Sequence, residues 1–183
     1  MRRLSDALAR VEVILTVIGA TLLFCIMIIV VLDVFMRYVV GRPFSFTYDL
    51  VGVYLMTGVF FLILSHAQAA HANVAVDILV GRFSEPMRRV ADIVACLAGG
   101  SVFALIAIVG FDRAWDSFQS DDVLAGVIPW PVWVSAALVP LGAGMLVLRL
   151  LLTACGHLAS LLTGRALIPL PIHSGDMNGE RFE

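Results

Sequence analysis

Four long apolar runs without a charged residue constrain this chain more than any other feature of its sequence. They cover residues 13–32, 50–64, 93–111 and 123–148. A helix needs about 20 mostly apolar residues to cross the hydrocarbon core of a bilayer. The sequence therefore predicts an all-α integral membrane protein with four transmembrane helices, near residues 11–32, 48–67, 90–111 and 131–152.

The composition excludes several other classes of protein. Hydrophobic residues make up 61% of the 183 residues and charged residues only 14%, whereas soluble domains carry about 25% charged residues. The net charge of −2 gives no basic surface for a nucleic acid, so no nucleic-acid partner is expected. The three cysteines lie inside apolar runs and are interpreted as small buried side chains.

The chain is predicted to form one membrane domain over residues 1–165, followed by a polar tail over 166–183. The tail contains Pro169, Pro171, Gly175 and Gly179 and is predicted to be disordered. Residues 150–162 are apolar but short, and they follow Arg149 without a turn signal. We expect them to continue the fourth helix; a separate re-entrant or amphipathic segment is the alternative.

The distribution of arginine predicts the orientation. Positively charged residues accumulate on the cytoplasmic side of a membrane protein. Nine of the twelve arginines fall at the N-terminus, in the second connection and after the fourth span, and three fall in the first and third connections. Both termini are therefore predicted to be cytoplasmic.

The apolar runs offer little chemistry for an enzyme or a conducting pathway. Ion pathways and proton relays need ionisable groups within the membrane, and the four runs contain no Asp, Glu, Arg or Lys. His66 and His71 are five residues apart, so they do not share a helix face as paired haem ligands would require. The sequence predicts no enzyme and no cofactor. A small independent exporter or channel and a membrane redox or haem protein remain as alternatives.

Small residues in the third span form a helix-packing pattern. Ala95 with Gly99, and Gly100 with Ala104, are spaced four apart. Such pairs let two helices approach closely in lipid. They predict either packing within a four-helix bundle or docking onto another membrane subunit.

Three stretches of sequence carry a family resemblance. The first runs from Asp33 to Asp49 and reads DVFMRYVVGRPFSFTYD; the second is HANVAVD from His71 to Asp77. The third extends from Ile128-Pro129-Trp130-Pro131 to Pro140-Leu141-Gly142. Together, in this order, they resemble the small membrane subunit of tripartite ATP-independent periplasmic (TRAP) transporters, the DctQ type.

The resemblance implies a small permease subunit of a secondary importer in a bacterial inner membrane. It implies that the chain scaffolds a large membrane subunit that carries the substrate, an organic acid, in symport with sodium. A periplasmic solute-binding protein would deliver that substrate, and the coupling ion would bind the large subunit. The residues it suggests as contacts to the large subunit or the binding protein are Asp33, Arg37, Arg42, Asp49, His71 and Asp77.

Overall fold

A computed structural model describes residues 2–69, 85–126 and 128–163 of the chain. Within these ranges, four helices are long and apolar enough to cross a membrane. They are α1 (Arg2–Val39), α2 (Thr47–Ala69), α3 (Glu85–Gln119) and α4 (Val132–Thr163). The all-helical, four-span architecture expected from the apolar runs is confirmed. His71, Asp77 and the tail over 166–183 lie outside the described residues.

The helices are longer than the apolar runs that predict them. Helix α1 has 38 residues and α3 has 35, which gives lengths of about 57 Å and 52 Å at 1.5 Å per residue. Both exceed the roughly 30 Å hydrocarbon core. Charges next to the runs, such as Glu12, Asp33 and Arg149, consequently lie within the helices. Residues 150–162 continue α4 and do not form a separate segment.

Local sequence explains where several elements begin. Helix α3 starts at Glu85 with Pro86 in its first turn, a position that suits proline because its missing N–H would have no intrahelical acceptor. Gly41 adopts a φ of 72° in the turn after α1, a conformation that glycine reaches without steric cost. Helix α2 passes through a π-helical segment at Leu50–Leu55 before it continues as an α-helix.

The four helices form an open row in the order α1, α2, α4, α3. Helix α1 packs on α2, α2 packs on α4, and α4 packs most extensively on α3. Among the described residues, α1 and α3 make few or no contacts with each other, so the row stays open. We call the side that holds the start of α1 and the end of α4 the termini side, and the side that holds residues 40–46 and 120–131 the connection side.

Helix α4 supplies the centre of the row. Its Ala143, Leu146, Leu150 and Ala154 are buried, and the last three cluster with Cys96 of α3. By contrast, large aliphatic side chains along the outside of α1 and α3 are exposed, for example Val31 at 62% and Leu105 at 63%. This distribution suits a protein surrounded by lipid, because acyl chains do not penalise exposed aliphatic groups.

Candidate functional site

Asp33 organises the connection side of the first two helices. One carboxylate oxygen accepts the backbone N–H of Phe44 at 2.8 Å and the hydroxyl of Thr47 at 3.2 Å. The other oxygen lies 3.3 Å from Nη2 of Arg37. Asp33 is 7% exposed, so three partners compensate its burial. The carboxylate therefore fastens the first connection and the start of α2 to the end of α1.

Arg37 and Arg42 leave their charges accessible. The Arg37 side chain is 63% exposed although it pairs with Asp33, and Arg42 is exposed in the turn beyond it. The four-residue spacing of Asp33 and Arg37 predicts their contact, because such residues are neighbours on a helix surface. The sequence does not predict the bonds to Phe44 and Thr47, which depend on how the connection folds back.

The connection between α3 and α4, which lies on the same side, rests on α2 through an aromatic contact. The Tyr54 hydroxyl donates to the carbonyl of Pro131 at 2.5 Å, and its ring centroid lies 5.8 Å from that of Trp130. Asp49 also reaches this connection: a Cβ added at Gly126 would come within 2.5 Å of its carboxylate oxygen. A Tyr54 hydrogen bond therefore joins the start of α2 to the connection between α3 and α4, and Asp49 lies beside the same connection.

That connection has backbone order of its own. Val123 and Pro131 form an antiparallel bridge, and the N–H of Leu124 donates to the carbonyl of Trp130 at 2.8 Å. The N–H of Val132 donates to the carbonyl of Asp122 at 3.0 Å. These bonds hold the described part of residues 120–131 against the end of the row.

Aromatic rings line the edge of this side. Phe111, Trp115, Phe118 and Trp133 form a chain of ring contacts with centroid distances of 5.5–6.4 Å. Their exposure ranges from 38% to 59%. Tryptophan is enriched at the headgroup level of membranes, so this edge fits a membrane–water interface.

A second polar cluster lies on the termini side and was not predicted as a unit. Glu12 of α1 is 2% exposed. One of its oxygens accepts the Ser65 hydroxyl of α2 at 2.6 Å, and the other lies 3.5 Å from Nη1 of Arg149 in α4. The cluster joins three helices. The sequence signals available were an acid and a base next to apolar runs, and nothing in the sequence pairs them.

The predicted packing residues lie on α3 along its contact with α4. A Cβ added at Gly99 or Gly100 would meet Leu150 at 3.7 Å and 4.0 Å. Ala95 lines a cavity between α3 and α4, while Ala104 is half-buried. The two glycines therefore face this chain's own α4. Contact of this stripe with another subunit stays a prediction.

A close approach between α4 and α2 occurs at Gly142. A Cβ added at Gly142 would collide with the backbone carbonyl of Phe61. Helices α4 and α2 can approach this closely only because Gly142 has no side chain.

The carboxylates of the described residues make structural contacts. In the described ranges, no three His, Cys, Asp or Glu side chains are grouped to hold a metal ion. These carboxylates instead accept hydrogen bonds or ion pairs from the chain itself: Asp33 from Phe44, Thr47 and Arg37, and Glu12 from Ser65 and Arg149.

Comparison with known families agrees with this architecture. The family described as tripartite ATP-independent periplasmic transporters, DctQ component, matches residues 26–160. Comparisons with curated proteins and with solved structures give no match. The matched region includes all of α2 and α3, most of α4 and the Asp33 cluster, and it covers most of the chain. This protein therefore belongs to the DctQ family, the small component of TRAP transporters.

Proposed function

We propose that this chain is the small permease subunit of a secondary importer in a bacterial inner membrane. It scaffolds a large membrane subunit that carries an organic acid together with sodium, and a periplasmic solute-binding protein delivers that acid. Both chain termini lie in the cytoplasm. Membership of a family of tripartite transporter components supports this assignment.

The arrangement of charge within the helices carries the proposal. Glu12 pairs with Arg149, and Asp33 pairs with Arg37. Ionisable residues that couple transport to an ion lie within the membrane and face the bundle interior or a water-filled cavity. Glu12 is buried and contacts both Ser65 and Arg149, so its carboxylate joins helices. Paired charges of this kind suit a rigid support.

The open row also favours a supporting role. The four helices leave two broad faces, because they do not enclose a common centre. Such a sheet of helices can brace a larger partner along one face while the other contacts lipid. The ordered connection side, fixed by Asp33 and Tyr54, offers a defined surface to a binding protein.

Reconstitution tests whether uptake requires this chain together with the large subunit and the binding protein. The binding protein is first screened for the carboxylate that raises its melting temperature, and that acid, radiolabelled, becomes the uptake probe. Vesicles containing the chain, the large subunit and the binding protein should accumulate it under an inward sodium gradient. Vesicles lacking the chain should lose this uptake, and the chain alone should move nothing.

The alternatives predict different results. Gradient-driven uptake by the chain in isolation would identify it as an independent transporter. A visible absorption band in the purified chain would point to a haem protein. Failure of a tagged chain to retain the large subunit during purification would contradict the scaffold role directly.

A further inference from the structure

A cleft separates α2 from α3, and α4 forms its floor. We call it the α2–α3 cleft. It contains two cavities, one of about 400 Å³ toward the termini side and one of about 610 Å³ toward the connection side. Both volumes fall in the range of sites for small amphiphilic ligands.

Each cavity has an apolar part and a charged residue at one end. The connection-side cavity is lined by aliphatic side chains of α2, α3 and α4, with Arg113 among its lining residues. The apolar part of the termini-side cavity is lined by Leu64, Phe103, Leu146 and Leu150. Its polar end contains Asp92 together with Gln68, Thr153 and His157. An aliphatic channel that ends in a charge matches a ligand with an apolar chain and an ionic head.

Neither of the two charges forms an ion pair within the described chain. Asp33 pairs with Arg37, and Glu12 pairs with Arg149, but Asp92 and Arg113 belong to neither pair. An unpaired charge beside the hydrocarbon region costs free energy. A ligand that brings the opposite charge would remove that cost.

The spacing of the charges matches the thickness of a bilayer. Asp92 and Arg113 both lie on α3, and 21 residues at 1.5 Å each separate them by about 31 Å. The hydrocarbon core is about 30 Å thick. When one charge is at the headgroup level of one leaflet, the other is at the headgroup level of the opposite leaflet.

The boundary between the two cavities lies about midway between Asp92 and Arg113 along α3. The termini-side cavity extends along α3 from Asp92 to Phe103, and the connection-side cavity extends from Leu105 to Arg113. Each therefore covers one leaflet and ends near the midplane, where acyl chains end. A spanning helix from another protein would instead need one groove across both leaflets.

We propose that the α2–α3 cleft binds two phospholipids, one from each leaflet, with a lipid phosphate on Arg113 and a lipid ammonium on Asp92. The guanidinium donates charge-assisted hydrogen bonds to phosphate oxygens. The carboxylate accepts hydrogen bonds from a primary ammonium, which favours phosphatidylethanolamine over phosphatidylglycerol at the termini-side cavity. The lipids fill the gap between α2 and α3 that the protein leaves open.

Native mass spectrometry of the full-length chain tests this assignment. The delipidated chain is titrated with dioleoyl phosphatidylethanolamine or dioleoyl phosphatidylglycerol, and two tightly bound lipids are expected. Asp92→Asn should abolish the preference for the ethanolamine lipid at one site. Arg113→Gln should weaken the other site about tenfold for both lipids, the effect of losing one charge-assisted hydrogen bond. Arg10→Gln, which changes an exposed charge at the start of α1 away from the cleft, should alter neither.

A pair of bulky substitutions distinguishes lipid bound in the cleft from lipid on the rest of the protein surface. Leu105 lines the connection-side cavity and is 63% exposed, whereas Ile108 is 59% exposed on the same helix without lining it. Leu105→Trp should displace one bound lipid, and Ile108→Trp should leave both. Equal retention by the two variants, or unchanged lipid preference in Asp92→Asn and Arg113→Gln, would overturn the proposal.

Photo-crosslinking in membranes identifies the occupant in the assembled transporter. A benzophenone residue in place of Val109, which lines the connection-side cavity, should form adducts of phospholipid mass. Adducts with a second protein chain would instead assign the cleft to a partner helix and overturn the lipid assignment.

Discussion

Oε2 of Glu12 lies 3.5 Å from Nη1 of Arg149, although the two residues stand near opposite ends of the chain. The Ser65 hydroxyl occupies the other carboxylate oxygen at 2.6 Å. Helix α1 is otherwise at the edge of the row, and most of its surface is exposed. This cluster is therefore a principal polar attachment of α1 to α2 and α4.

We predict that Glu12→Ala destabilises the folded protein strongly. The substitution leaves Arg149 partly buried without its counter-charge, and breaking such a pair costs about 3–5 kcal/mol. The measurement is the free energy of unfolding in mixed micelles. A double variant, Glu12→Leu with Arg149→Leu, should recover most of the loss, because apolar replacement of both partners removes the uncompensated charge.

Arg10→Ala provides the matched control for that experiment. Arg10 is exposed on the same helix two residues away, and its removal should change stability by less than about 0.5 kcal/mol. Equal effects of Arg10→Ala and Glu12→Ala would show that the cluster does not fasten α1.

The contact between α2 and α4 gives a second prediction. Gly142→Ala should destabilise the protein by about 1–3 kcal/mol, the usual cost of overpacking, because the new Cβ would collide with the Phe61 carbonyl. Gly144→Ala is the control, since a Cβ there meets nothing within 4 Å. Thermal unfolding in detergent should separate the two variants, and a tolerated Gly142→Ala would contradict the close approach.

The orientation of the chain is a third prediction. Nine of the twelve arginines lie on the side that we predict to be cytoplasmic, so alkaline phosphatase fused after Glu183 should be inactive. The same enzyme inserted at Ser120, on the connection side, should be active because it reaches the periplasm. The reverse pattern of activities would place both termini in the periplasm and refute the arginine argument.

Local features of the fold could be predicted from the sequence because they depend on nearby residues. Apolar runs specify the four spans through a length requirement that the bilayer imposes. The Asp33–Arg37 contact follows from helical spacing alone. Even so, the helix ends extend beyond the runs, since a helix continues into the headgroup region wherever polar residues tolerate it.

Features that depend on helix order could not be predicted in the same way. Ser65 is one hydroxyl just after an apolar run, and its bond to Glu12 exists only because α1 packs on α2. Gly142 and Gly99 are both glycines in apolar helices, yet only Gly142 faces a backbone carbonyl of another helix. Sequence spacing identifies small residues but does not rank the approach distance at each one.

Asp33 and Arg37 form one ion pair, yet we predict that they contribute unequally to the connection side. Asp33→Ala removes the acceptor for the Phe44 N–H and the Thr47 hydroxyl, and an unsatisfied buried donor costs about 1–3 kcal/mol. Arg37→Ala leaves both bonds in place and removes a mostly exposed pair worth about 0.2–0.5 kcal/mol. Amide hydrogen exchange over residues 40–47 should therefore accelerate in Asp33→Ala and change little in Arg37→Ala.

Variants of Asp33 and Arg37 also distinguish a structural role from a role in contacting a partner during uptake. The exposed guanidinium of Arg37 is available to a partner, so Arg37→Glu should reduce uptake by the reconstituted three-component system while membrane insertion remains normal. Arg42→Glu makes the same charge reversal in the adjacent turn and tests the second arginine that the family resemblance suggests as a contact. If Arg37→Glu transports as well as the unaltered chain, its guanidinium contacts lipid phosphate instead, and Asp33 alone accounts for the importance of this cluster.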